Sequence, residues 1–192
     1  MPKNLIIYAN PRRNSHSGYL LQQVEDRLRE AGASFETIDL YQIGYDPVLK
    51  EQELYSAGNR QVDQQTIDFQ EKIKAADSLL FIYPTWWQAP PAILTGFIDR
   101  VFTSGFAFEY RLGLPRPLLK GKRAAAFTTI GSPAFFHFVT GSPALKILLK
   151  YTLAFCGFQT KGFTMSESDH LDQNKEELKE IAAGIVKFLR EK

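Results

Sequence analysis

Cysteine is almost absent from this 192-residue chain, where Cys156 stands alone. A single cysteine excludes a disulfide framework and a cysteine-based zinc site, and it suits a reducing cytoplasm. Net charge is nearly absent as well. The 23 Lys and Arg against 21 Asp and Glu leave a formal +2. That balance lacks the clustered basic face of a nucleic-acid binder, so no nucleic-acid partner is expected. The beginning, MPKNLIIYANPRR, holds only a short apolar run and no small-residue cleavage site, which argues against a signal peptide. Neither G-x-G-x-x-G nor a Walker loop occurs. No paired-carboxylate or Ser/His/Asp constellation is recognisable. His16, His137 and His170 are not spaced as metal ligands, so no metal is expected.

Charge is missing locally in two stretches. Ser78–Ile98 and Ala124–Leu145 contain no Asp, Glu, Lys or Arg. Each is long enough for a membrane span. Yet Pro84, Pro90, Pro91 and Gly96 interrupt the first, and Gly131, Pro133, His137 and Pro143 the second. A lipid-exposed helix so broken would leave backbone groups unpaired in hydrocarbon. No membrane insertion is therefore expected, and the setting read from the sequence is cytoplasmic and soluble.

What is present reads as one domain, 1–192. That length buries a core without staples. Leu5–Ala9 is a continuous apolar run followed at once by Asn10, Pro11 and two arginines, as in a buried parallel strand. Leu20, Leu21, Val24 and Leu28 recur at helical spacing, with Gly32 as the stop. Phe35, Thr37 and Ile38 make a second strand ending at Asp39. Residues 40–65 are a long polar connection, of the kind that is usually functional or mobile. A helix is expected over about 64–76, a third strand over Leu79–Tyr83, and a helix opened by Pro90 and Pro91. Gly105–Pro117 reads as an aromatic loop. Ala124–Thr129 is a fourth strand, Ser142-Pro143 caps and opens a helix, and Gly157–Met165 is a weaker fifth strand. A final helix carries Leu178, Ile181, Ala182, Ile185 and Leu189 on one stripe. This alternation implies an α/β architecture of three layers: a five-stranded parallel sheet with helices on both faces, in the doubly wound order 2-1-3-4-5.

In such sheets the ligand binds beyond the carboxyl ends of the strands, which singles out three loops. The first holds Asn14, Ser15, His16, Ser17 and Gly18 before a helix. Hydroxyls, an amide and an imidazole at a helix N-terminus suit a phosphate; equally, Ser15 or Ser17 simply caps the helix. The second, Pro84-Thr85-Trp86-Trp87, carries both tryptophans of the chain, against which a flat aromatic ligand would lie. The competing reading is packing or a dimer contact. The third holds Thr128, Thr129 and Gly131, then His137 among phenylalanines. His137 either steadies a developing anion or relays a proton, or is merely packed with one satisfied hydrogen bond. A phosphate loop beside two aromatic and backbone-rich loops describes a flavin mononucleotide site.

At these residues the chain resembles the NAD(P)H:quinone oxidoreductase family of flavodoxin-like flavoproteins. The likeness runs over nearly the whole length. It is carried by Pro84-Thr-Trp-Trp87, by Pro91-Ala-Ile-Leu-Thr-Gly-Phe-Ile-Asp-Arg100, by Gly105-Phe-Ala-Phe108, by Thr128-Thr-Ile-Gly131 and by Phe155-Cys-Gly-Phe158. The resemblance implies a flavodoxin-like fold. It implies FMN, with FAD as the alternative, held by Asn14, Ser15, His16 and Ser17 at the phosphate, by Pro84, Thr85, Trp86 and Trp87 along the ring, and by Thr128, Thr129 and Gly131 at its pyrimidine side. It implies ping-pong two-electron hydride transfer from NAD(P)H to a quinone or similar acceptor. It implies a homodimer, with His137 as the catalytic candidate. Many members carry histidine where Asn10 stands, and the tyrosine that long members place over the flavin is missing from Phe135-Phe136-His137. Two other roles resemble relatives too: an ancillary subunit contacting a membrane transporter for potassium efflux, and a one-electron flavodoxin-type carrier.

Overall fold

The computed structural model describes residues 3–54, 56, 61–131, 142–166 and 170–191. The chain runs β1 (Lys3–Tyr8), α1 (His16–Glu30), β2 (Ser34–Asp39), α2 (Gln64–Ala75), β3 (Ser78–Pro84) and α3 (Ala92–Val101). It continues through β4 (Phe108–Arg111), β5 (Leu114–Pro117) and β6 (Arg123–Ile130). A short α-helical Pro143–Leu145 runs into π-helical Lys146–Leu153, together α4, and β7 (Gln159–Ser166) and α5 (Leu171–Arg190) complete it.

Five strands pair in parallel in the order β2-β1-β3-β6-β7. Counting only the strands of this sheet, that is the expected 2-1-3-4-5. Successive side chains of a strand face opposite sides, and both sides are buried here. Leu5, Ile7, Phe81 and Ala126 pack with Phe69 and Ile73 of α2, Phe97 and Val101 of α3, and Leu149 and Leu153 of α4. Ile6, Tyr8, Ile82 and Phe127 pack with Leu20, Val24 and Leu28 of α1 and Leu178, Ala182, Ile185 and Leu189 of α5. Strands covered on both faces cannot alternate apolar with polar, which is why they read as continuous apolar runs. The strand portions of the two charge-free stretches are accounted for in the same way: Ser78–Pro84 is buried along its whole length, and so is β6 from Ala124 to Ile130.

Two expectations are corrected. Gly105–Pro117 is not simply a loop. It contains the antiparallel hairpin β4–β5, closed through Leu112 (φ 53) and Gly113 (φ 77). Two left-handed residues in a row suit a tight hairpin turn, and Pro115 and Pro117 are tolerated because neither β4 nor β5 belongs to the main sheet. Ser142 does not cap the next helix. Its φ of 50 is left-handed and its side chain makes no cap hydrogen bond, and the helix then widens to π geometry over Lys146–Leu153.

The connection after β2 is held by one side chain. Arg100 of α3, only 2% exposed, donates from Nε and Nη2 to Glu53 at 3.0 and 2.8 Å and from Nη1 to the Asp46 carbonyl at 2.5 Å. It also pairs with Asp63, whose other oxygen caps α2 by accepting from the Thr66 amide at 2.7 Å. The Tyr45 ring lies 5.5 Å from the guanidinium carbon. Pro47 packs so closely on Gly96 that a Cβ there would strike the Pro47 carbonyl.

Candidate functional site

The sheet order reverses at β1, with β2 on one side and β3 on the other, and the chain leaves β1 and β3 side by side. The Ala9 amide still donates to the Ile82 carbonyl at 2.9 Å. The first loop then folds on its own polar groups. Asn10 Oδ1 accepts from the Arg12 amide at 2.9 Å, and Ser15 Oγ donates to the Arg12 carbonyl at 2.8 Å. Ser15 Oγ also accepts from the Gly18 amide at 3.2 Å, which makes Ser15 the N-cap of α1. A Cβ on Gly18 would collide with the Arg13 carbonyl, so the loop can lie this close to the helix only over glycine. Tyr8 donates to the Arg12 carbonyl at 3.1 Å, and burial raises its phenol above the ordinary value. Arg13 lies 4.6 Å over the Tyr8 ring and pairs with Asp39 at 2.7 Å.

The second loop is a tight turn. Trp86 and Ala89 exchange backbone hydrogen bonds of 3.0 and 2.9 Å around Trp87 (φ 50) and Gln88 (φ 61). Two consecutive non-glycine residues in the left-handed region are strained, and such strain gathers at ligand sites. Trp87 is 100% exposed and Trp86 45% exposed, so neither tryptophan is core.

The third loop is bound to the second. The Thr85 amide donates to the Thr129 carbonyl at 2.8 Å, and the Thr85 and Thr128 hydroxyls lie 2.7 Å apart. Thr128 and Thr129 are buried. Gly131 has open space where a Cβ would stand. His137 lies outside the described residues.

A cleft of about 740 Å³ opens at this edge, lined by Asn10, Arg12, Asn14, Ser15 and His16 from the first loop and by Pro84 and Trp86 from the second. Thr85, Trp87, Thr128, Thr129, Gly131 and the buried Ser17 do not line it. Its remaining wall lies outside the three loops that the sequence singles out: His170, Leu171, Asp172 and Lys175 at the start of α5. Applied to every strand, the carboxyl-edge rule would have found it, since α5 follows β7. His16 ties the two walls together, for its Nε2 lies 3.0 Å from the Asn174 side-chain nitrogen. An amide nitrogen only donates, so Nε2 is the acceptor. Lys175 pairs with Asp172 at 2.6 Å and thereby holds that carboxyl below its ordinary range.

A flavin phosphate fits these residues. The first-turn amides of α1 have no partner within the helix, and the dipole there is positive. Arg12, His16, His170 and Lys175 surround the cleft. Two buried hydroxyls near this edge, Ser17 Oγ and Thr129 Oγ1, have no hydrogen-bond partner among the described residues, although neither lines the cleft. An orphaned buried hydroxyl is costly unless a ligand completes it.

Comparison with known proteins agrees with the geometry. A family described as Flavodoxin-like fold matches residues 2–189. An uncharacterized NAD(P)H oxidoreductase of Haemophilus influenzae is 31% identical over 185 residues, covering 94% of this chain and 92% of that protein. The structure of NAD(P)H:quinone oxidoreductase from Methanothermobacter marburgensis superposes with a TM-score of 0.83 at 25% identity, covering 100% of this chain and 98% of the other. An FMN-dependent NADH-azoreductase from Bacillus anthracis, solved in complex with FMN, has a TM-score of 0.77 at 19% identity over 96% of this chain and 99% of that one, a likeness of fold.

Proposed function

The chain belongs to the flavodoxin-like fold family, and from that premise we propose that it is an NAD(P)H dehydrogenase (quinone) that uses FMN. The observation that carries the reading is the cleft at the reversal of strand order, floored by the Ser15-capped start of α1 and overlooked by Trp86. Bound FMN would supply two-electron hydride transfer between NAD(P)H and a quinone-like acceptor, the two using the site in turn.

The chain's own residues position and polarise. Ser15 and the first-turn amides of α1 hold the phosphate, with Asn14, His16 and Ser17 beside it. Pro84, Thr85, Trp86 and Trp87 line the ring. Amides near Thr128, Thr129 and Gly131 face its pyrimidine side, where negative charge would be stabilised by fixed donors. His137 is the catalytic candidate. We place the protein in the cytoplasm as a homodimer. Apolar side chains that a partner copy would cover support the dimer: Leu112 is 97% exposed and Leu114 71%.

The test is direct. The purified protein should show a flavin spectrum, release FMN rather than FAD, and oxidise NADH or NADPH with a simple quinone. A colourless protein that neither FMN nor FAD reconstitutes would sink the proposal. Trp87→Ala combined with Gly131→Val should lose flavin with the fold retained. His137→Gln should lower turnover without loss of flavin. Sedimentation checks the dimer.

A further inference from the structure

One residue at the start of α5 acts on the cleft without lining it. Asn174 is half-buried, and its side-chain nitrogen lies 3.0 Å from Nε2 of His16, 158 positions earlier in the chain. His16 does line the cleft, opens the first turn of α1 and is only 8% exposed. We propose that Asn174 is a positioning residue for the flavin phosphate, acting through the His16 ring; this rests on the flavin reading above.

A neutral imidazole carries one N–H and one bare nitrogen. A bare nitrogen turned to a phosphate sets a lone pair against an anion, whereas an N–H can donate to it. Here Nε2 accepts from the Asn174 amide, so its lone pair is already used. The proton of the neutral ring then resides on Nδ1. No unoccupied ring lone pair is left to oppose an anion in the cleft. Asn174 thus removes the half of His16 that would repel the ligand.

Other contacts hold the two helices together. Leu178, one turn beyond Asn174, packs in the layer that contains Leu20, Val24 and Leu28 of α1. Lys175 is tied to Asp172 at 2.6 Å and lies 5.7 Å from the centre of the Tyr19 ring. Farther along the same seam, Arg27 donates to the Lys179 carbonyl at 3.3 Å. The bond from Asn174 to His16 is therefore left to set the ring rather than to dock α5.

The experiment strips flavin from the purified protein and titrates wild type and Asn174→Leu with FMN and with riboflavin, which lacks the phosphate. Leucine removes the donor and, four residues before Leu178, prolongs the apolar stripe of α5. FMN should bind Asn174→Leu about fivefold or more weakly, with riboflavin affinity unchanged. Added to His16→Phe, Asn174→Leu should weaken FMN binding no further. Long-range proton–nitrogen NMR spectra of the flavin-free wild type at about pH 8, above the ordinary range of histidine titration, should place the His16 proton on Nδ1. Equal losses of FMN and riboflavin affinity would make Asn174 merely structural and overturn the proposal. Unchanged FMN affinity, or a wild-type ring protonated on Nε2, would overturn it as well. A wild type that binds neither flavin would instead sink the flavin reading, and the proposal with it. Should Asn174→Leu fail to fold, Asn174→Ala takes its place.

Discussion

The loop after β1 and the connection after β2 are both irregular, yet they are held by opposite means. Residues 10–18 are fixed by hydrogen bonds among close neighbours: Asn10 to Arg12, and Ser15 to Arg12 and Gly18. In the connection, Asp46, Glu53 and Asp63 are fixed by Arg100, which reaches back 37 to 54 positions along the chain. The first arrangement leaves helix amides available to a ligand. The second engages Glu53 and Asp63 with one guanidinium and leaves a wall rather than a site. A loop built on its own polar groups is prepared for binding; a loop tied down by a buried ion network is prepared for rigidity.

The comparison breaks most visibly at Arg100. Arg100→Ala takes the ion pair from buried Glu53, and should cost about 3–5 kcal/mol in denaturant unfolding. Hydrogen exchange should accelerate over 45–63 more than over 10–18. Uniform acceleration would mean the two regions share one anchor. Gly18→Val drives side-chain atoms into the Arg13 carbonyl. It should cost about 1–3 kcal/mol and abolish flavin binding, read from the visible spectrum, with the sheet intact by circular dichroism.

Ser15→Ala removes the cap of α1. About 1 kcal/mol of stability should go, with a matching fall in flavin affinity. Asp63 supplies the pH-dependent case. Burial opposes its charge, but the Thr66 amide and Arg100 outweigh burial and keep its pKa below the ordinary carboxylate value. A depressed folded-state pKa stabilises above the unfolded value, and that stability is lost as pH falls through the folded one. Acid unfolding should therefore begin earlier in the wild type, relative to its own neutral stability, than in Asp63→Asn, whose acid limb should be flatter. The smallest effect belongs to Thr129→Val. Its hydroxyl has no partner among the described residues, so removing it should leave the flavin-free protein unchanged or slightly more stable. If that hydroxyl meets the flavin, affinity should fall several-fold.

The parts of the site legible beforehand are those whose cause is local. Ser15, three residues before Gly18, and Trp86 announce themselves by residue type next to a strand end, whereas Trp87, Thr129 and Gly131 are singled out on the same ground and do not line the cleft. The hairpin β4–β5 was less legible, because its prolines disguise strands that lie outside the main sheet. The wall from α5 follows from the strand order and the carboxyl-edge rule, since α5 begins where β7 ends, but no residue type in His170-Leu171-Asp172 marks it as a ligand wall. Asp99 and Arg100, adjacent in the same helix, look alike as charges in the sequence. Among the described residues, Arg100 is buried in an ion network and Asp99 is exposed.

Alone, the sequence determined the alternation of strand and helix, the two-sided burial of the sheet, its strand order and the polar loop at the first strand's end. These follow from hydrophobic period, caps and turn chemistry within a few residues. The tertiary structure decided which carboxylates meet Arg100 and which helix start completes the cleft. Those pairings join residues tens or more than a hundred positions apart, and only packing of the layers brings such distant charges within a few ångströms.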